Sequence, residues 1–450
     1  MQKIIRRVPA TIAMSALSSA LLLTSTGAMA AGLSLNEQSA SAMGTAYAGR
    51  SSSALDASTV FGNPAGMSRL DRMQVSGGLA LIHAKTSIKN GQTTYDGNPM
   101  VLPGRINQSS TNDGDMVPFS AIPFGYFVMP LDDQWHFGMG IYAPVGGKSD
   151  FESTFAGRYQ ARKTEVTMVT FQPTLSYKFN DMLSVGVGAT VNYLDGTLSS
   201  NSLSPANPAA PPAPTNPFVD VLYTAKGDDT AFGANVGVLF QPYENTTFGL
   251  AYRSHVKFKL SGDAKVETPA PQTYKGDANL KFTAPESIDF SFTHKFDDQW
   301  TLYAGALWTR WSRLDEISIK DTLPLHPDGV SPTEKVSFKD TWAYSIGGSY
   351  QLNPAVVLRA GFALDTSAAS DSTRSVRTPI AERKAITIGA GWNVTDDLTL
   401  DAAYGYLWES TARVRQGDKD NPNTGSPRPG FSGDFKNKIH GLSGQVTYRF

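Results

Sequence analysis

The chain has 450 residues, 39 Lys+Arg against 40 Asp+Glu, and no cysteine. The balanced charge excludes a basic nucleic-acid footprint, and the missing thiols exclude a disulfide-stapled fold. Mean hydropathy is −0.23, and no run beyond the first thirty residues approaches eighteen apolar positions, which excludes a membrane helix.

Residues 1–30 read as a secretory signal peptide. "MQKIIRRVPATIAMSALSSALLLTSTGAMA" opens with Lys3, Arg6 and Arg7, stays apolar to Leu23, and ends Ala28-Met29-Ala30, an A-x-A-like cleavage site. The mature chain then begins at Ala31 in an exported compartment. A membrane anchor is the alternative, but the apolar run is short and broken by serines.

Residues 31–72 are rich in Ala, Ser and Gly and show no strand alternation. From Met73 the period becomes two. In "LSVGVGATVNYL", Leu183, Val185, Val187, Val191 and Tyr193 share one face, while Ser184, Thr190 and Asn192 share the other. The same pattern runs through Phe232 to Phe240, Ile386 to Trp392, Leu398 to Trp408, and Leu442 to Phe450. It marks strands with one apolar and one polar face.

The connections alternate in length. Short turns fall at 130–135, 179–183, 242–246, 296–300, 352–355 and 394–398. Long polar segments fall near 90–114, 146–162, 200–228, 262–275, 320–334, 365–382 and 415–434. The segment "SPANPAAPPAPTNP" (204–217) is expected to pair with no strand. Six short and seven long connections separate fourteen strands, the pattern of an outer-membrane barrel. Trp135, Trp300, Trp308, Trp392, Trp408, Tyr448 and Phe450 lie near strand ends, as interfacial girdles require. A soluble sandwich or propeller also alternates, but nothing in it calls for the regular short-long rhythm. Pro118 and Pro123 in strand 2, Pro173 in strand 4 and Pro285 in strand 8 mark bulges or misplaced boundaries.

The fold class is therefore all-β: a transmembrane antiparallel barrel of about fourteen strands over 73–450. Such a barrel has a lumen that wall side chains alone do not fill. Residues 31–72 are read as a plug, or hatch, inside it, with a periplasmic tail as the alternative.

The chain resembles the long-chain fatty acid transporter family of Gram-negative outer membranes. The matching residues are "GLSLNEQSASAMGTAYAG" at the mature start, Asn63-Pro64-Ala65-Gly66, "YRSHVKFKLSG" (252–262), "FKDTWAYSIGGSYQL" (338–352) and the terminal "YRF". The resemblance implies a monomeric barrel with an N-terminal hatch, gated around Asn63, Pro64, Ala65 and Gly66. It implies capture of hydrophobic small molecules near the loops and passage to a pocket beside the hatch. Exit is sideways into the membrane through a kink in the third strand, with no energy source, cofactor or metal. In this chain Pro144, Gly146 and Gly147 interrupt that strand, where proline removes a ladder donor. The plain alternative is that Pro144 starts a loop. A barrel in that membrane also meets its lipid and lipopolysaccharide.

Fatty-acid-binding members of the family hold the carboxylate with basic residues. Ser200 and Ser318 stand where those are expected, leaving Arg310, Arg313 and Lys320 nearby as candidate carboxylate partners. A related branch carries aromatic hydrocarbons such as toluene and needs no charged clamp, so both substrate classes remain open. Catalytic chemistry is not expected. The pairs Asp132-Asp133, Asp297-Asp298 and Asp396-Asp397 fall in short turns, where Asp is favoured by turn geometry. The six histidines lack metal-ligand spacing. A general aqueous porin and an outer-membrane lipid hydrolase are the remaining alternatives.

Overall fold

The computed structural model describes residues 33–95, 98–99, 116–205, 218–268, 273–323, 333–417, 419–420 and 427–450. The expected signal peptide and its cleavage before Ala31 lie outside the described residues, as does segment 206–217. Fourteen barrel strands follow one another: β1 Gln74–Tyr95, β2 Ser120–Pro130, β3 Trp135–Asp150, β4 Lys163–Lys178, β5 Leu183–Pro205, β6 Phe218–Tyr243. Then come β7 (Thr246–Arg253 and Val256–Glu267), β8 (Thr273–Ala284 and Ser287–Lys295), β9 Trp300–Thr309 and β10 Thr341–Asn353. The last are β11 Val356–Asp365, β12 Arg383–Asn393, β13 (Leu398–Glu409 and Ala412–Gln416) and β14 Gly430–Arg449. Each strand pairs antiparallel with the next, and β1 pairs with both β2 and β14, which closes the ring.

Closure matters because a ring pairs the strand edges that an open sheet would expose to lipid; between β2 and β3 part of that pairing is interrupted. The side chains confirm the solvent. On β14, Leu442, Val446 and Tyr448 face outward and exposed, while Ser443, Gln445 and Thr447 are buried inside. Phe232 on β6 is 75% exposed, with Ile346, Ile386 and Ile388 likewise outward. A soluble sandwich would bury this face; here only hydrocarbon satisfies it.

The short turns fall where expected, and most strands run longer than expected. β3 continues past Pro144 to Asp150, and β5 and β6 stay paired through Ser204↔Val219 and Pro205↔Phe218. The first two residues of the proline-rich run therefore do pair. A closed ring keeps supplying partners above the membrane, so a polar sequence there still forms ladder. The prolines sit at ladder defects. Pro118 precedes β2, Pro285 lies in the break of β8, and the β4–β5 ladder skips Gln172 and Pro173. Pro123 pairs with Leu79 of β1 at a level where β3 offers β2 no partner.

Residues 33–72 pack against inward-facing residues of the wall. They form two single-turn helices, α1 Ala40–Met43 and α2 Thr59–Gly62, and a 3-10 turn over Pro64–Arg69. The Ser39 side chain caps α1 by accepting from the Ala42 amide. Segments this short are not stable alone; packing holds them. Ala57, Val60, Phe61, Met67 and Leu70 bury against Phe124, Tyr126, Val128 and Tyr142 of the wall.

Candidate functional site

The Asn63-Pro64-Ala65-Gly66 turn is fastened to the wall. Asn63 is fully buried. Its Oδ1 accepts from the Ala65 amide at 3.0 Å, which caps the 3-10 turn, and Pro64 starts that turn without needing a donor. Its Nδ2 donates to Ser51 O at 2.7 Å and to Val238 O of β6 at 2.9 Å. One amide thus joins two plug segments to the barrel. Glycines on the wall make room: a Cβ at Gly237 would collide with Asn63 Oδ1, and one at Gly186 with Pro64.

Polar side chains from around the ring hold the rest. Arg50 pairs with Asp289 at 3.1 Å and donates to Asn36 Oδ1 at 3.0 Å. Gln172 donates to Val60 O at 2.8 Å, and Gln445 donates to Asp56 Oδ2 at 2.9 Å. Arg253 stacks on Phe61, 3.9 Å from its ring centre, and donates to Phe61 O. Water can replace these hydrogen bonds at little net cost, whereas the apolar contacts of Val60, Phe61 and Met67 have no such replacement.

The third strand is kinked. Its ladder to β4 jumps from Tyr142↔Thr170 to Val145↔Met168, a bulge of one residue containing Pro144. Its ladder to β2 stops at Ile141↔Gly125. Above that, residues 120–124 of β2 pair only with β1, until Asp150 N meets Met116 O at 2.7 Å. Between these limits the wall has no β2–β3 ladder. The plug occupies the free edge instead. Leu35 N donates to Pro144 O at 3.0 Å, Gly146 N donates to Leu33 O at 2.9 Å, and Ser34 bridges Val145. Gln38 clamps the same stretch, giving its Nε2 to Ala143 O at 2.6 Å. A Cβ at Gly146 would lie 2.9 Å from Leu35 Cδ1. Gly147 pairs with Val166 of β4. Pro144 therefore lies within a continuing strand and does not start a loop.

Three cavities adjoin this contact. The first is a partly open hollow with an almost wholly apolar surface, lined by Leu33 with Leu194, Leu260, Phe282, Leu314 and Phe338. The second lies further down the same strands beside the kink, touching Leu35, Pro144, Val145 and Arg253. The third shares Asn36, Arg50 and Leu307 with the second and is more polar, with Glu37, Asp365 and Arg383. The run Leu33 to Glu37 touches all three in succession. Burial, partly offset by Arg383, raises the Glu37 carboxyl above its ordinary range.

The candidate carboxylate partners are not brought to the apolar cavity. Arg313 donates to Glu286 Oε1 at 2.6 Å and Arg310 does so at 3.2 Å. Lys320 is exposed on the short strand Ile319–Asp321, opposite Asn279. The buried Glu286 takes both guanidiniums because an unpaired buried carboxylate is costly. Arg377 does line the cavity, but it pairs with Glu334 at 3.0 Å and donates to Thr164 Oγ1 and Gln160 O. Glu286, Arg377, Gln38 and Arg253 were not singled out from the sequence. The available signal was a polar residue on the inward parity of a strand or in the plug, which marks a lumenal contact but not its partner.

Comparison with known proteins agrees with this geometry. The family model described as outer membrane protein transport protein (OMPP1/FadL/TodX) matches residues 21–450. Outer membrane protein P1 of Haemophilus influenzae is 29% identical over 418 residues, 87% of this chain and 89% of that protein. A long-chain fatty acid transport protein of Salmonella typhi is 27% identical over 424 residues, 90% and 93% of the two chains. A solved structure of a Pseudomonas aeruginosa FadL homologue matches with TM-score 0.83 at 24% identity, covering 93% of this chain and 100% of that one. The Ralstonia pickettii toluene transporter TbuX matches with TM-score 0.64 at 16% identity, covering 92% and 99%. At these identities both structures speak to fold alone.

Proposed function

The chain belongs to the outer membrane protein transport protein family (OMPP1/FadL/TodX), and from that premise we propose a passive, non-catalytic channel that carries long-chain fatty acids across the outer membrane. The barrel is an outer-membrane protein. In this reading residues 1–30 are a signal peptide, 31–72 a movable hatch and 73–450 the barrel, and the protein works as a monomer.

One observation carries the proposal: Leu33 to Leu35 sit between an apolar cavity and an unladdered stretch of wall. A hydrophobic solute gains about 0.8 kcal/mol per methylene removed from water. A water-filled pore would return that gain at every step; a dry cavity keeps it. A chain entering the apolar cavity competes with Leu33 for the same lining. Displacing Leu33 removes its carbonyl from Gly146 N and frees the β3 edge. The solute then leaves sideways between β2 and β3. Asn63, Pro64, Ala65 and Gly66 keep the rest of the hatch docked, while Pro144, Gly146 and Gly147 keep the strand bent. Binding thus shifts a population between closed and open edges.

A second reading is uptake of aromatic hydrocarbons. It is favoured by the pairing of Arg310, Arg313 and Arg377 with protein carboxylates, since a neutral substrate asks for no cation. The Ralstonia pickettii relative is called a toluene transporter, the Salmonella typhi one a long-chain fatty acid transport protein.

Uptake of labelled oleate and labelled toluene tests both, in cells lacking their own outer-membrane fatty acid transporter. A Pro144→Ala/Gly146→Val/Gly147→Val variant is run beside the parent protein, with assembly checked by heat-modifiable gel mobility. Oleate uptake lost in the assembled variant is the expected result. Toluene-only uptake selects the second reading, and no uptake of either refutes both.

A further inference from the structure

The outward face of β13, β14 and β1 carries a set of cations that the transport reading does not use. Outward residues rise from the periplasmic rim in order: Val75↔Tyr448, Gly77↔Val446, Leu79↔Gly444 and Leu81↔Leu442 form an apolar band. The next row is His83↔His440, and the next is Lys85↔Lys438. On β13 the same rows hold Tyr404, Tyr406 and Trp408. Tyr404 OH and His440 Nδ1 lie 2.7 Å apart, and Tyr406 packs on both His440 and Trp408. This is an aromatic girdle, and the lysines stand at its upper edge, on the side of the long connections.

Lys85 and Lys438 are directly opposite in register, and Lys436 is the diagonal neighbour of both Lys85 and Lys89. All four are exposed. Like charges directly opposite on a sheet repel, at Cβ separations of about 5 Å. Among the described residues, no carboxylate forms an ion pair with them. Asp434, opposite Lys89, already pairs with Arg415 at 2.9 Å and accepts from Asn90 at 3.1 Å. The wall around β3 and β4 differs: there Lys148 and Lys163 share Glu165, at 3.3 and 2.8 Å.

We propose that Lys85, Lys436 and Lys438 form a binding site for the phosphates of lipid A, the membrane-embedded part of lipopolysaccharide. The register places ammonium groups at headgroup height beside an apolar band that receives the acyl chains. A phosphate accepts from several ammoniums at once and removes their mutual repulsion. Trp408 and Tyr406 offer faces for the adjoining sugar. The site depends on the outer-membrane location and not on which solute is carried.

The test uses the full-length protein purified in detergent and stripped of lipid, with bound lipid counted by native mass spectrometry. The probes are bis-phosphorylated lipid A, the same lipid A without phosphates, and phosphatidylglycerol. The variants are Lys85→Gln/Lys436→Gln/Lys438→Gln and, as a control on the other wall, Lys148→Gln/Lys163→Gln. Heat-modifiable mobility verifies assembly. The triple variant should bind phosphorylated lipid A at least about tenfold more weakly, and the control variant should stay near the parent. Dephosphorylated lipid A and phosphatidylglycerol should bind the parent at least about tenfold more weakly than phosphorylated lipid A. Equal binding by the triple variant, by dephosphorylated lipid A or by phosphatidylglycerol would overturn the proposal. If the triple variant does not assemble, Lys438→Gln alone serves, with about a threefold loss expected and none refuting.

Discussion

Replacing Asn63 by alanine removes three hydrogen bonds from a fully buried position. Loss of the cap on the 3-10 turn costs about 1 kcal/mol. The carbonyls of Ser51 and Val238 lose the donor that reached them, at about 1 kcal/mol or more each where burial leaves them unsatisfied. The sum is about 3 kcal/mol, and all of it falls on the docked plug, because the barrel ladder does not run through Asn63. At 1.4 kcal/mol per factor of ten, the opening equilibrium of the plug rises about a hundredfold. Hydrogen exchange with mass spectrometry on assembled protein reads this directly. Peptides covering residues 40–69 should lose about a hundredfold in protection, while β14 and β1 should keep theirs. Protection of the plug within about threefold of the parent would refute the assignment of Asn63 as its lock.

Three further outcomes follow from the same geometry. Gly361→Val places a side chain against the Thr45 backbone, whereas nothing lies within 4 Å of a Cβ at Gly444; the first should release the plug in limited proteolysis and Gly444→Val should not. Glu37 holds its proton above the usual carboxylate range because burial disfavours the charge, so the docked plug binds a proton that the undocked chain has lost. Docking should therefore weaken as pH rises from the ordinary carboxylate value through the raised one. Glu37→Gln should flatten that dependence in protection factors taken between about pH 4 and about pH 8. Leu33→Asp introduces a charge into the apolar cavity, and oleate binding by the assembled variant should fall at least about tenfold in a fluorescence competition assay.

The barrel was legible because its signals are local. Period-two alternation, Asp- and Asn-bearing short turns, and long polar connections each occupy a few adjacent residues. Repeated along the chain, they point to a closed ring of about fourteen strands preceded by a strandless segment. The Pro144, Gly146 and Gly147 interruption was visible for the same reason, since proline and glycine act on their own backbone. What the side chains touch was decided elsewhere. Arg310 and Arg313 looked free to hold a substrate carboxylate until the β8–β9 wall placed Glu286 between them. Gln38 meets Ala143 across 105 residues, and Asn63 meets Val238 across 175. The pairing of Leu33 to Leu35 with the kinked strand, and the facing of Lys85 by Lys438, depend on register and closure. A shift of one residue would turn every one of those side chains to the other face, and only the closed ring fixes which face it is.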